Sequence, residues 1–581
     1  MAALLLLSPH EMKAFAASAL ATITSSSNIL FWRTTGSYFS PNSDLSPLLM
    51  TWTLGVEEQF YIFLPLLMLL LRKAPWRTQF SLIGGLAALS FVASVWGTAH
   101  HPGFAFYLLP TRAWELAAGV LVAMFEANRP HAKSSLPPLA AHGLSILGLV
   151  LIGVAIGTLH STTPFPGYAA LLPVLGAVLI IAARQGVVNR LLSIRPMVFI
   201  GLVSYSWYLW HWPLLSFARI TSYTGISKTV GAVLGLLSFG LAALSYKFVE
   251  QPFRKSTTPS TLLFMRYGVV VVLMILPPIV LYVSHGLPQR NGTVQQMETG
   301  LNYYFTSDKC LVGESVVHLP LTAHCVPPGP GRAVALIGDS HAGAIAGALR
   351  GISRRSGYRL IELDKEDCPA LVGVSHFAPY VPRLARECTQ FNRERLDYVM
   401  HDPSIQAVIV VGFWSKPFRH EKRGERYVAD GQYGPAVSEA QSQELLQQGL
   451  DGLVGRLEQA GKVVYLVQDN PIFAFNPQQY MRTQLIGPRR VLAGLVAKST
   501  LRYPQGVVRG TELPADQQAR ELVEKVAAAH PDVHLFDMRS ALCTPAGCRF
   551  AEGDRTLYVD EGHLDSLGAQ IALTGFRLPA N

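Results

Sequence analysis

The pattern of hydrophobic and polar positions divides the chain near residue 284. Before that point apolar runs recur with only short polar breaks: Trp52–Leu71, Phe80–Thr98, Leu108–Phe125, His142–Leu159, Tyr168–Ala183, Phe199–Ala218, Thr229–Tyr246 and Met265–Ser284. They are apolar all round rather than along one stripe, and most approach the about 20 residues a helix needs to cross a bilayer. Eight membrane spans are therefore expected, with Tyr168–Ala183 short for the task. Met1–Leu7 (MAALLLL) reads as the last turns of a membrane helix whose beginning is missing, followed by His10 in a polar turn, SPHEM.

After residue 284 the period changes. Gly286–Arg332 is rich in Pro, Gly and polar residues and reads as a linker. Short continuous apolar runs then follow at Ala333–Gly338, Tyr358–Leu363, Ala407–Gly412, Val463–Gln468 and Val533–Met538. Between them lie helical stretches such as Arg383–Met400, Ser438–Ala460 and Ala515–Ala529, with a last helix at Ser566–Thr574. Strands apolar on both faces, alternating with amphipathic helices, make a parallel sheet covered on both sides. The expected organisation is a membrane domain over 1–284, a linker over 285–332 and an α/β domain over 333–581.

Charge orients the membrane part. Alternate loops carry Arg72, Lys73 and Arg77; Arg129 and Lys133; Arg184, Arg190 and Arg195; and Lys247, Arg254, Lys255 and Arg266. The opposite loops, around His100–Pro110 and His160–Gly167, carry no basic residue other than histidine, and the third has only Arg219 and Lys228. By the positive-inside rule the basic loops face the cytoplasm, so everything after Ser284 emerges outside it. The formal net charge of +10 is then a topology signal rather than a nucleic-acid footprint, which would cluster on one soluble face. Only 15% of the 581 residues are charged and half are hydrophobic, which points to a membrane protein rather than a large soluble enzyme.

Cysteine usage agrees with this orientation. All six cysteines, Cys310, Cys325, Cys368, Cys388, Cys543 and Cys548, follow the last membrane run. An even count confined to the exported half reads as three disulfides in an oxidising compartment. Sequence proximity favours Cys310–Cys325, Cys368–Cys388 and Cys543–Cys548 among the fifteen pairings that six cysteines allow. No CxxC pair or ligand-spaced Cys/His cluster occurs, so no metal is expected.

The candidate chemistry sits in the exported half. Val334–Ala348 (VALIGDSHAGAIAGA) places Ser340 on a Gly-Asp-Ser turn between an apolar strand and a helix of small residues. Such a turn exposes a hydroxyl at the carboxyl edge of a parallel sheet, above a helix N-terminus. A serine needs a base to take its proton, and the base needs a carboxylate to hold it. Asp560 and His563, three apart near the end of the chain, can supply both.

GDSH with a late DxxH resembles the SGNH (GDSL-like) hydrolase superfamily of esterases and acyltransferases. That resemblance implies a three-layer α/β/α sandwich with Ser340 as nucleophile, His563 as general base and Asp560 as its orienting acid. It also implies an oxyanion hole built from the Ser340 amide, a glycine and an asparagine. Here the sequence departs: where a Gly-x-Asn would follow the third strand, the chain reads Gly412-Phe413-Trp414-Ser415. Gly373 and Gly412 remain as backbone donors and Asn392 as a remote substitute.

The membrane half resembles the acyltransferase 3 group. The matching stretches are Thr51–Pro65 (TWTLGVEEQFYIFLP), Thr111–Gly119 (TRAWELAAG), Ser204–Pro213 (SYSWYLWHWP) and Phe248–Phe253 (FVEQPF). Within them Glu57, Glu58, Arg112, Glu115 and His211 lie inside or at the ends of membrane segments, where ionisable groups are costly and mark sites. The bland readings are a helix-dipole role for Glu57 and Glu58, a structural Arg112–Glu115 pair, and an interfacial aromatic belt. The family pattern also places a basic residue and a histidine in a first helix, for which this sequence has no counterpart. The expectation is a shortened form, or one whose start lies upstream.

Together the resemblances imply an enzyme of the bacterial inner membrane, a multi-span all-α bundle followed by a periplasmic α/β/α SGNH-type domain. It would bind no cofactor permanently and would draw acetyl from acetyl-CoA. The acceptor would be a surface polysaccharide or lipid-linked glycan such as lipopolysaccharide O-antigen. The alternative is a membrane-anchored periplasmic glycan esterase using the same triad with water.

Overall fold

The eight apolar runs fold as helices, Thr51–Leu70, Trp76–His100, Leu109–Ala127, Pro138–Thr158, Leu171–Ala183, Arg195–Thr221, Lys228–Ser245 and Ser260–Val283. In the computed structural model the described residues are 2–34, 43–128, 136–160, 163–254, 260–300, 310–314, 316–379, 381, 383–419, 425–432, 434, 437–497, 503, 506–508 and 513–579. Arg129, Lys133 and Lys255 lie outside them. The chain forms two compact units, Met1–Arg290 with Val491–Lys498, and Asn291–Arg490 with Ser499–Asn581.

Among the described residues of the first unit, five helical segments are long and apolar enough to cross a membrane: Thr51–Leu70, Trp76–His100, Pro102–Ala127, Pro138–Thr158 and Lys228–Arg254. Leu171–Ala183 and Gly268–Val283 are shorter apolar helices. Large side chains point outward, Leu70 being 82%, Leu139 85% and Leu236 75% exposed. That arrangement suits a hydrocarbon solvent and not water. Small residues face inward, as helix packing in lipid requires. A Cβ on Gly148 would lie 2.6 Å from the Gly176 carbonyl oxygen, so Pro138–Thr158 and Leu171–Ala183 meet backbone to backbone. The ends of two helices that the charge pattern puts on one side are joined by an ion pair, Arg184 to Glu126, at 2.8 Å.

The start of the chain differs from expectation. SPHEM is not a turn: Ser8 caps the helix Pro9–Ile23, its hydroxyl accepting from the Glu11 N–H at 3.2 Å while the Glu11 carboxylate accepts from the Ser8 N–H at 2.9 Å. His10 is therefore a residue of the first helical turn. The S-x-x-E spacing with proline at the first helical position is a helix start signal. Before that helix, among the described residues, lies the short helix Ala2–Leu6.

The second unit is built on a six-stranded parallel sheet. Its strands are β1 (Leu311–Val312), β2 (Ala333–Gly338), β3 (Arg359–Lys365), β5 (Ile405–Val411), β7 (Val463–Gln468) and β9 (His534–Asp537), in the order β1-β3-β2-β5-β7-β9. A separate antiparallel ribbon pairs β4 (Val374–Phe377) with β6 (Arg426–Ala429), and β8 (Val507–Val508) pairs with Gly547–Arg549. Every residue of β2 is buried, as a strand covered on both faces must be. The core joins Ile337, Leu363, Val408 and Leu466 of the sheet to Leu446, Leu450 and Val454 of the helix Glu439–Gln459 and Val523 of Pro514–Ala529.

The sheet starts earlier than the sequence periodicity indicates. The stretch read as a linker supplies β1, whose two residues pair with Asp364 and Lys365. A two-residue strand leaves no hydropathy pattern to read. Disulfides join Cys310 to Cys325, Cys368 to Cys388 and Cys543 to Cys548. The first closes 15 residues and holds β1 against the sheet edge. Replacing both of its cysteines by alanine is expected to destabilise this unit by about 3 kcal/mol, read as a lowered denaturant midpoint under oxidising conditions.

Candidate active site

The turn after β2 is built by close packing and one carboxylate. A Cβ on Gly338 would lie 2.1 Å from the Val411 carbonyl oxygen and 2.6 Å from the Ala342 Cβ, so only glycine fits between β5 and the helix Ser340–Arg355. Asp339 caps that helix, one carboxylate oxygen accepting from the His341 N–H at 2.9 Å. The other accepts from the Phe413 N–H at 2.8 Å, which ties the loop after β5 to the same turn. Ser340 is thus fixed as the first helical residue at the carboxyl edge of the sheet.

The late DxxH loop reaches this point. The Ser340 Oγ lies 2.9 Å from the His563 Nε2, and the His563 Nδ1 lies 2.7 Å from an Asp560 carboxylate oxygen. The other Asp560 oxygen accepts from the Gly562 and His563 N–H groups at 2.9 and 2.7 Å. Burial opposes the charge on Asp560, yet the His563 imidazole and these hydrogen bonds hold its carboxyl well below the usual range. A carboxyl lowered in this way adds stability above its ordinary titration range and loses it as pH falls. Chemically, the arrangement can deprotonate a serine and stabilise the imidazolium that results.

Of the oxyanion candidates, Gly412 lies beside the turn, one residue beyond Val411, which pairs with Gly338. The other two are placed elsewhere. Asn392 is buried in the helix Leu384–His401, and its amide is spent on the Pro369 carbonyl at 3.1 Å and the Cys388 sulfur at 3.7 Å. Gly373, at φ +70°, sits at the start of the β4/β6 ribbon, where its carbonyl accepts from the Asp430 N–H. Asparagine on an amphipathic helix and glycine in a turn both serve local structure here, which sequence alone did not distinguish from donor roles.

Three residues at the site escaped sequence reasoning. Arg395, fully buried, donates to the carbonyls of Gly338 at 2.8 Å, Leu363 at 3.3 Å and Cys368 at 3.1 Å, bracing the turn from below. Burial lowers its guanidinium to about 10, against the pull of Asp364 and Asp339. His341 and Asp469 form a second histidine–carboxylate pair at 2.8 Å, with the His341 ring centroid 4.6 Å from that of His563. The DSH tripeptide and the Asp-Asn after VVYLVQ were the available signals.

In the first unit Arg112 and Glu115 pair at 3.1 Å on one helix face. The Arg112 guanidinium also lies over the rings of Trp52, Phe106 and Phe165, at 5.5, 5.8 and 5.3 Å. His211 turns its Nδ1 to the Tyr208 carbonyl of its own helix at 2.8 Å. Glu57 and Glu58 lie beyond the first turn of Thr51–Leu70, too far along to serve as helix-dipole partners. The stretches Thr51–Pro65 and Ser204–Pro213 meet where the Tyr208 hydroxyl lies 2.7 Å from the Thr53 Oγ1.

Comparison with known proteins follows the same division. Residues 13–283 match the family model for an acyltransferase domain, and residues 309–576 match that for an SGNH domain fused to AT3 domains. The peptidoglycan O-acetyltransferase OatA of Listeria monocytogenes is 28% identical over 263 residues, 43% of this chain and 42% of that protein. YrhL of Bacillus subtilis, provisionally named a peptidoglycan O-acetyltransferase, is 27% identical over 231 residues, 38% of this chain and 36% of its own length. The periplasmic domain of a lipopolysaccharide acetyltransferase from Salmonella ser. Paratyphi A aligns at 14% identity and a TM-score of 0.34, over 48% of this chain and 97% of that one, too distant to argue from. The chain spans less than half the length of the two curated relatives. With both domains matched in order along one polypeptide, the chain belongs to the acyltransferase 3 family of membrane proteins, in the branch that carries a fused SGNH domain.

Proposed function

We propose that the chain is a membrane-bound O-acyltransferase that moves acetyl from cytoplasmic acetyl-CoA to a hydroxyl of a cell-surface glycan, with lipopolysaccharide O-antigen or a lipid-linked glycan as acceptor. The observation that carries this reading is the hydrogen-bonded line from Ser340 through His563 to Asp560. The His563 Nε2 takes the Ser340 proton as the Oγ–acyl bond forms and passes it to the group the acyl leaves. The same nitrogen then removes a proton from the glycan hydroxyl, which takes the acyl group and frees the serine. Transfer to water by the same steps is hydrolysis, and exclusion of water decides between them.

Expression in a bacterium whose surface glycan lacks O-acetyl groups is the test, with acetate released by mild alkali as the readout. Bound acetate above the Ser340→Ala control supports transfer. Loss of acetate from an already acetylated glycan would establish the esterase instead.

Orientation is tested separately. The bias of basic residues toward alternate loops supports a periplasmic position for residue 331, outside a bacterial inner membrane. Alkaline phosphatase fused at Gly331 is expected to be active there, and a reporter that works only in the cytoplasm to be silent. The reverse result would remove the mechanism above.

A further inference from the structure

The first unit holds a groove between the helices Thr51–Leu70, Trp76–His100 and Leu109–Ala127, a cavity of about 310 Å³ with Phe60, Leu67, Ile83 and Ala117 among its walls. Every residue that lines it is apolar. Small side chains make the space: Ala113 and Ala117 lie one turn apart on one helix, and Ala87 lines the groove from another. Its rim opens outward, where Phe63 and Leu86 are exposed. One end of the groove is basic. The turn between Thr51–Leu70 and Trp76–His100 carries Arg72 and Lys73, and Arg77 stands in the first helical turn beyond it. Arg72 follows Leu67, and Arg77 precedes Ile83, by less than two helical turns. Gln79 holds the turn in shape by donating to the Leu71 and Ala74 carbonyls at 3.0 and 3.1 Å. All three cations are exposed, and among the described residues none has an acidic partner at ion-pair distance. On two other basic loops the charge is answered within the chain, Arg184 by Glu126 and Arg254 by Glu250, each at 2.8 Å. Trp76, exposed beside Arg77, marks the level of the membrane–water interface.

We propose that this groove binds an anionic phospholipid from the leaflet on the side of the basic loops: one acyl chain fills the cavity, and the phosphate headgroup rests on Arg72, Lys73 and Arg77. The two halves of such a ligand match the two kinds of surface. An acyl chain gains little by leaving the bilayer for a protein wall, since both are hydrocarbon, so the cavity alone selects no lipid. Selection comes from the headgroup. Basic residues at a membrane surface attract anionic lipid, and basic pockets between membrane helices hold phosphate headgroups. The cavity adds position, because a chain seated among three helices ties its headgroup to the turn beside it. It also supplies the contacts that an empty space leaves unmade. A zwitterionic lipid with the same chains fills the cavity but brings no net charge to the turn.

The test is native mass spectrometry of the full-length chain, purified in detergent and titrated with dioleoyl phosphatidylglycerol or dioleoyl phosphatidylcholine, which share their chains and differ in charge. One phosphatidylglycerol is expected to stay bound where phosphatidylcholine is stripped, with an affinity at least about tenfold higher. Arg72→Gln, Lys73→Gln and Arg77→Gln combined are expected to bring phosphatidylglycerol down to the level of phosphatidylcholine. Ala113→Phe keeps the cations and fills the cavity, and is expected to weaken both lipids. Equal retention of the two lipids by the wild type would overturn the proposal. So would a glutamine variant that keeps the preference, or an Ala113→Phe variant that binds phosphatidylglycerol as the wild type does. Undecaprenyl phosphate, an isoprenoid chain with the same charged group, is the rival occupant. Its binding in preference to phosphatidylglycerol would assign the groove to a glycan carrier and overturn the proposal as well. If Ala113→Phe fails to fold, the glutamine variant decides the matter, because its three changes fall on exposed side chains.

Discussion

Ser340→Ala and His563→Ala are each expected to reduce acyl transfer by the full-length chain by on the order of 1,000-fold or more, without unfolding it. The Ser340 hydroxyl is half-buried at the head of a helix whose cap is Asp339, so its removal leaves the turn's hydrogen bonds intact. His563→Ala removes the base that the serine hydroxyl meets at 2.9 Å. The two losses should not add, since each breaks the same proton path. Asp560→Asn is expected to cost as much or less, because its work is to fix the imidazole tautomer and to stabilise the imidazolium. It accepts two backbone N–H bonds as well, so a milder substitution could loosen the loop. Circular dichroism and labelling of Ser340 by a fluorophosphonate separate that effect from lost chemistry. Fluorophosphonate attached at another residue would refute the assignment.

The second large effect is structural. Arg395→Leu is expected to destabilise the α/β unit by about 3–5 kcal/mol, the range for breaking a buried charged network by removing one partner. The guanidinium serves three carbonyls that terminate β2 and β3 and the segment after β3, and it balances Asp364 and Asp339. Leucine fills part of the volume and satisfies none of these. Thermal unfolding followed by protease sensitivity in the full-length protein should show a midpoint lowered by on the order of 10 °C. Arg395→Lys should recover only part of the loss, since a single ammonium cannot span the geometry of a planar fork. Wild-type stability in Arg395→Leu would show that the turn is braced by other contacts.

These two residues mark what was legible in the chain and what was not. Ser340, Asp560 and His563 could be read because their spacing repeats a chemical requirement: a hydroxyl on a tight turn, and a base with its carboxylate on one short loop. The strands could be read because a doubly covered parallel sheet needs uninterrupted apolar runs, and Val463–Gln468 falls where its pattern put it. Arg395 could not, because on an amphipathic helix a charge reads as solvent-facing until tertiary structure buries it. β1 was lost for lack of length. The helix Pro9–Ile23 was lost to an undervalued cap, since S-P-x-E announces a helix start as clearly as a turn. Among the oxyanion candidates the sequence offered no ranking, because glycine and asparagine have many local uses; Gly412 falls beside the turn, while the Asn392 amide is taken up inside its own helix packing.

The cysteine pairing carries a consequence for biogenesis. Each bridge joins a cysteine to the next one along the chain, over 15, 20 and 5 residues. A polypeptide emerging N-terminus first presents its thiols in the order in which they belong together, so an oxidant acting on each newly exposed pair reaches the native set without error. Proteins whose bridges interleave need a thiol isomerase to undo early mistakes, which takes seconds to hours. Maturation of this domain should depend on a disulfide oxidase and be indifferent to loss of the isomerase.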